Sequence, residues 1–209
     1  LVAVAGKVLS GVAVASTNSL YAGIASGVVI GLVFGCINGL LVGRFRLPDV
    51  VTTIAIGSIA YGCAFVYNGG GDFSRNFMSS GLVMMSFNTF LGIQIPIFIF
   101  LMVSCLAMYL VHATRVGAAL YATGENPLAT YLSGVSTNRA TMLAFAVCGA
   151  LVGLAMALQV SGIGSSRVTA GGQIMLPAYS AVYLGAALLG RASVFATLAG
   201  VLIMTMLLN

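Results

Sequence analysis

The sequence predicts an all-α protein, a polytopic bundle of transmembrane helices, and three observations carry that prediction. Sixty per cent of its 209 residues are hydrophobic and only 5% are charged, whereas a soluble domain carries roughly 25% charged residues. The mean hydropathy is +1.13. The apolar residues come in successive runs close to the roughly 20 needed to cross a bilayer, and apart from Lys7 every charge falls between those runs or at their ends.

Taken in order, the spans are read as Leu1–Leu20 (interrupted by Lys7 and by Ser16-Thr17-Asn18-Ser19), Tyr21–Val42, Val50–Tyr67, Ile93–His112, Ala140–Val160, Ile174–Leu189 and Ala192–Leu208. That makes six to seven, because only Gly190-Arg191 separates the last two and one of them reads as broken or re-entrant. Residues 1–209 form a single transmembrane domain, expected to be a fragment incomplete at both ends, with a loop at 113–139 inside it. Arginine placement orients the chain. If Arg44 and Arg46 are cytoplasmic, alternation puts His112, Arg115, Arg139 and Arg191 on the same side, and Arg75 and Arg167 outside. The outer connection from Asn68 to Gly92 reads as solvated, and the glycines of Ser161–Gln173 (Gly162, Gly164, Gly171, Gly172) as a break in the helix.

In the second span Gly23, Gly27, Gly31, Gly35, Gly39 and Gly43 recur at every fourth position. On a helix this row winds slowly round the axis, and such small-residue rows let a neighbouring backbone approach closely. Packing is the expected role, with a lined passage as the sharper alternative. Asn38 is read first as an interhelical hydrogen bond and second as a substrate ligand. Leu47-Pro48-Asp49 opens the next span, which offers Thr52, Thr53, Ser58 and Tyr61. With Gln159 further on, Asn38, Thr52 and Tyr61 make up a candidate substrate path, since polar groups in a membrane helix face an interior or a cavity.

The longest polar interval runs from Arg115 to Arg139 and carries its own start and stop signals. Asn126 is a good N-cap, and Pro127 at the first helical position gives up an N–H that has no partner there anyway. Glu125 suits the positive end of the helix dipole, and Gly134 suits a left-handed close. Between them Leu128, Tyr131, Leu132 and Val135 fall on one face. A helix this short needs a surface to lie on: the membrane, a partner's groove, which accepts anchors at this spacing, or the chain's own bundle.

Several functions are excluded by what the chain lacks. The formal charge of +5 is not gathered in a basic stripe, so nucleic acid is not an expected partner. Cys36, Cys63, Cys105 and Cys148 sit singly in separate apolar runs, and read as small buried hydrophobes with no metal site or disulfide. Gly162-Ile163-Gly164-Ser165 has no base within reach, the one histidine (His112) being expected at the opposite face. No phosphate-binding glycine loop is present, so the chain is not expected to bind ATP. No span has an acid at its middle, as proton-coupled carriers usually do. A catalytic role is not expected, and any energy source must lie outside the chain.

Three stretches remain: Gly35-Cys36-Ile37-Asn38-Gly39-Leu40-Leu41-Val42, Ala122-Thr123-Gly124-Glu125-Asn126-Pro127 through Leu132-Ser133-Gly134-Val135, and Thr169-Ala170-Gly171 with Leu176-Pro177-Ala178-Tyr179-Ser180-Ala181-Val182-Tyr183-Leu184-Gly185. Together they resemble the membrane permease subunits of bacterial ABC importers for monosaccharides, the group that includes the ribose, xylose, galactoside and autoinducer-2 systems. The middle stretch is the most specific. The resemblance implies that Glu125, Asn126, Pro127, Leu128, Tyr131, Leu132 and Gly134 belong to a coupling helix seated in a cytoplasmic ATPase, framed by Arg115 and Arg139. It implies a second permease copy or sister permease, a periplasmic binding protein, and ATP and Mg used by the partner ATPase. The related permeases for branched-chain amino acids, and a free-standing channel or carrier, are the alternatives.

Overall fold

A computed structural model describes residues 20–67, 88–90, 93–163, 170–190 and 193–208. All of the expected first span Leu1–Leu20 except Leu20, most of the connection Asn68–Gly92, and Arg75, Arg167, Thr169 and Arg191 lie outside the described residues. The helices are α1 (Leu20–Phe45), α2 (Asp49–Tyr67), α3 (Ile95–Ala113), α4 (Arg115–Glu125), α5 (Pro127–Leu132), α6 (Thr137–Ile163), α7 (Ala170–Leu189) and α8 (Val194–Leu208). Two two-residue strands, β1 (Thr89–Phe90) and β2 (Ile93–Gln94), pair antiparallel just before α3. The all-α class therefore stands. Among the described residues α1, α2, α3 and α6 are long and apolar enough to cross a membrane.

The centre of the structure is the pair α1 and α6, and the glycine row explains it. A Cβ on Gly31 would run into the Gly149 carbonyl, one on Gly35 would lie 2.5 Å from the Phe145 carbonyl, and one on Gly43 would lie 2.9 Å from the Asn138 carbonyl. Gly149 and Gly153 return the contact, against the carbonyls of Gly31 and Gly27. Residue numbers rise along one helix as they fall along the other, so the two run antiparallel. The expected row is thus a packing seam, with a second glycine pair on α6 completing it. Gly23 is buried at its start.

A smaller seam of the same kind joins α7 to α8. Gly185 meets the Ala196 carbonyl, Gly200 meets the Ala181 carbonyl, and a Cβ on Gly200 would lie 2.8 Å from the Gly185 nitrogen. The two helices turn through 117° at the break between them. Gly190 ends α7 in the left-handed region at φ 70°, and the Ser193 hydroxyl accepts from the Ala196 N–H to start α8. The last two expected segments are therefore one sharply bent pair.

One expectation is corrected, and one is placed more narrowly. Of the connection Ser161–Gln173, α6 runs through Gly162 to Ile163 and α7 starts at Ala170 and includes Gly171 and Gly172, so the expected break falls on 164–169, outside the described residues. In lipid an unpaired backbone group costs several kcal/mol, so helices persist through glycines that would end them in water. The four cysteines are exposed, not buried. Within a membrane-embedded helix a thiol still behaves as one more small apolar group. No residue of α3 is buried, though it is one of the most apolar helices, so this single chain leaves it bare for lipid or another subunit.

Candidate docking site at one end of the bundle

The polar interval folds as two consecutive helices. Thr114 starts α4, its Oγ1 accepting from the Gly117 N–H at 3.2 Å. Gly117 is buried, and a Cβ there would strike the Val111 carbonyl, so only glycine lets α4 turn back so tightly from α3. The amphipathic α4 was not foreseen; Thr114 as a cap was the signal available in the sequence. At the same end His112 Nδ1 lies 3.2 Å from the Met108 carbonyl, and its ring meets Tyr121 edge-on.

Asn126 serves two helices at once. Its N–H donates to the Ala122 carbonyl at 3.0 Å, closing α4, and its Oδ1 accepts from the Ala129 N–H at 3.1 Å, opening α5. With φ −152° and ψ 96° it is extended, which breaks the path between them. Pro127 follows at the first position. At the other end the Gly134 N–H donates to the Tyr131 carbonyl (3.0 Å) and the Val135 N–H to the Thr130 carbonyl (3.3 Å). With Gly134 at φ 83° this is the paired-bond closure in which a left-handed residue ends a helix. Glu125 precedes the α5 cap as expected, and it is also the last residue of α4. It stands at the negative end of α4 as well as the positive end of α5, and the two dipole effects oppose each other.

Thr130, not the apolar face, meets the bundle. It is 5% exposed, and its hydroxyl donates to the Asn126 carbonyl at 2.9 Å. Leu128, Tyr131 and Leu132 are 69%, 66% and 77% exposed, and Val135 is half-buried. Arg115 and Arg139 are exposed at the first turns of α4 and α6. A cleft of about 650 Å³ opens here, with Val42, Arg46 and Leu47 on one wall, Leu128 and Tyr131 on another, and Asn138 at the start of α6. Arg46 therefore shares an end of the molecule with the α4–α5 interval, as the arginine count required. The cleft depends on three separated segments meeting, and nothing in their spacing announced it.

The candidate substrate path is not gathered in one place. Asn38 is 5% exposed, and its Oδ1 has no hydrogen-bond partner among the described residues, so the interhelical bond expected of it is not made there. Thr52 is buried and spends its hydroxyl on the Pro48 carbonyl at 2.8 Å. Tyr61 is half-buried and stacks on Phe65. Gln159, also half-buried, lies six residues beyond Gly153, which faces Gly27. Gln159 is then about 25 Å along the seam from Asn38 at 1.5 Å per residue.

Comparison with known proteins adds to this geometry. Over residues 1–209 the chain matches the family described as branched-chain amino acid transport system / permease component. It is 31% identical over 213 residues to the ribose import permease protein of Escherichia coli (strain K12), covering 100% of this chain and 66% of that protein. It is 32% identical over 174 residues to the ribose import permease protein of Bacillus subtilis (strain 168), covering 82% of this chain and 54% of that one. To the L-arabinose transport system permease protein of Escherichia coli (strain K12) it is 30% identical over 201 residues, 92% of this chain and 56% of the relative. The chain thus spans about half to two thirds of the length of the curated relatives it matches. No solved structure matches it. A membrane bundle held by glycine seams, with a doubly capped helix at one end, and a match over the whole chain together lead to one conclusion: the chain belongs to the transport-system permease-component family.

Proposed function

We propose that this chain is the membrane-spanning part of a permease subunit in an ATP-driven importer, passing a monosaccharide or similar small polyol inward across a bacterial inner membrane. The observation that carries the reading is α5. A six-residue helix, capped at both ends, holds Leu128, Tyr131 and Leu132 out to solvent, in a chain whose relatives are named ribose and L-arabinose permeases. A helix this short would not keep three large apolar groups in water without something to place them in. A cytoplasmic ATPase subunit is that partner, and the ATP and Mg are its own. A second permease copy or a sister permease, with lipid, covers the bare α3, and a periplasmic binding protein delivers the sugar.

The family description also covers amino acid permeases. A sugar is favoured because the described spans carry no ionised residue at their middle to meet a zwitterion, and burying an unpaired charge is far more costly than burying a hydroxyl with partners. The test is affinity purification of the full-length protein in mild detergent, with mass spectrometry of what accompanies it. A cytoplasmic ATP-binding subunit should be recovered, and Leu132→Glu should lose it while the permease stays folded. The binding protein recovered alongside should take up sugars, not branched-chain amino acids. A chain recovered alone, transporting in liposomes without ATP, would make it a channel or carrier.

A further inference from the structure

Arg44 and Arg46 stand two residues apart at the end of α1, and the structure gives them different settings. Arg44 is in the last helical turn, where a cation complements the carbonyl end of the dipole. Arg46 is past the helix end at φ 53°, the one non-glycine residue with a left-handed backbone among those described. The Leu47 N–H then reaches back to the Leu41 carbonyl at 3.4 Å. Glycine takes that conformation freely and arginine does not. A strained residue that persists invites a functional explanation.

The cleft supplies it. Arg46 lines the cleft beside α5, whereas Arg44 does not, and no carboxylate is among the lining residues. Besides Arg46 the cleft is lined by apolar side chains, among them Val42, Leu47, Leu128 and Tyr131, and by uncharged polar ones, Thr123, Ser136, Thr137, Asn138 and Thr141. Neither Asp49 nor Glu125 forms an ion pair with Arg46 among the described residues; Asp49 Oδ1 is taken up by the Val50 N–H. Arg46 is exposed, and its guanidinium stands in a cleft with uncharged walls and no counter-charge of its own, which fits one complement best. That complement is a carboxylate on whatever the cleft receives, held by the planar fork of donors.

We propose that Arg46 forms an ion pair with an acidic side chain of the docked ATPase subunit, inserted into the cleft between the end of α1 and α5. This rests on the reading of α5 as the docking helix and extends it. The ATPase would hold α1 directly, and through the glycine seam it would hold α6 too, so closure of the ATPases would be transmitted to the central pair by two contacts and not by α5 alone. Proximity to Leu128 and Tyr131 favours a protein carboxylate over a lipid phosphate.

The test uses the full-length permease in nanodiscs and the ATPase recovered with it, comparing Arg46→Glu, Arg46→Gly, Arg44→Glu and Leu132→Glu. Arg46→Glu should weaken ATPase binding about tenfold or more, as loss of a desolvated charge pair does, and Arg44→Glu less than about twofold. Arg46→Gly relaxes the backbone, so it should fold at least as well as the parent and still bind weakly. Wild-type binding by both Arg46 variants, with Leu132→Glu defective, would overturn the Arg46 contact and leave α5 as the docking helix. A loss seen only in nanodiscs containing anionic lipid would make Arg46 a headgroup residue and equally overturn it. If Leu132→Glu also binds normally, the docking reading itself fails.

Discussion

The α1–α6 seam and the helix α5 are built on opposite terms. In the seam the side chains have been removed so that two backbones can touch: Gly31 and Gly149 meet carbonyl to Cα, with no room for a methyl on either. In α5 the backbone is finished locally, by Asn126 at one end and Gly134 at the other, and the large side chains are left over. One region is complete within the chain and resists change. The other is complete in its hydrogen bonds but not in its burial, so it depends on something outside. On the proposed reading, a permease subunit driven by a separate ATPase needs both: a stiff pair to move and an open contact to be moved by.

The largest effect is expected where the seam is broken. In Gly31→Ala the new Cβ would meet backbone from Gly149 and Gly153 on α6, where no flexible side chain can give way. Overpacking of this kind typically costs about 1–3 kcal/mol, and thermal unfolding in detergent should show it as a clear fall in midpoint. An unchanged midpoint would mean that the two helices are not in backbone contact, and the contrast with α5 would collapse.

A smaller and local effect is expected at the cap. Asn126→Ala removes the acceptor for the Ala129 N–H, a loss of about 1 kcal/mol for an N-cap. Hydrogen exchange should quicken across Pro127–Leu132 and stay unchanged in α1 and α6. If the seam loosened as well, the two regions would be one cooperative unit and not the separate pieces described.

How far the sequence could be read follows the same division. The spans were legible because hydrophobic runs are local; Tyr21–Val42 was expected and Leu20–Phe45 is found. So was α5, whose N-cap, proline and closing glycine sit within nine residues of one another. The glycine row was legible but its mate was not, since nothing near Gly31 says that Gly149 will face it. Arg46 shows the other limit. A positive φ at an arginine leaves no mark in composition, and its cleft exists only once α1, α5 and the start of α6 are brought together. Local chemistry could be read; juxtaposition could not.

The smallest effect comes from the same glycine-to-alanine change, placed outside the seam, and its sign should reverse. Gly124 is exposed within α4, and a Cβ built on it meets nothing within 4 Å. Gly124→Ala should therefore stabilise α4 by up to about 1 kcal/mol, the difference in helix propensity, and slow hydrogen exchange over Arg115–Glu125. ATPase binding should stay within about twofold of the parent, a change worth less than 0.5 kcal/mol. The chain keeps a glycine here, two residues before Asn126, although alanine would make the better helix. If binding instead falls while α4 becomes more stable, the open space around Gly124 is space that a partner fills. The docking surface would then begin on α4, one helix earlier than the caps of α5 suggest.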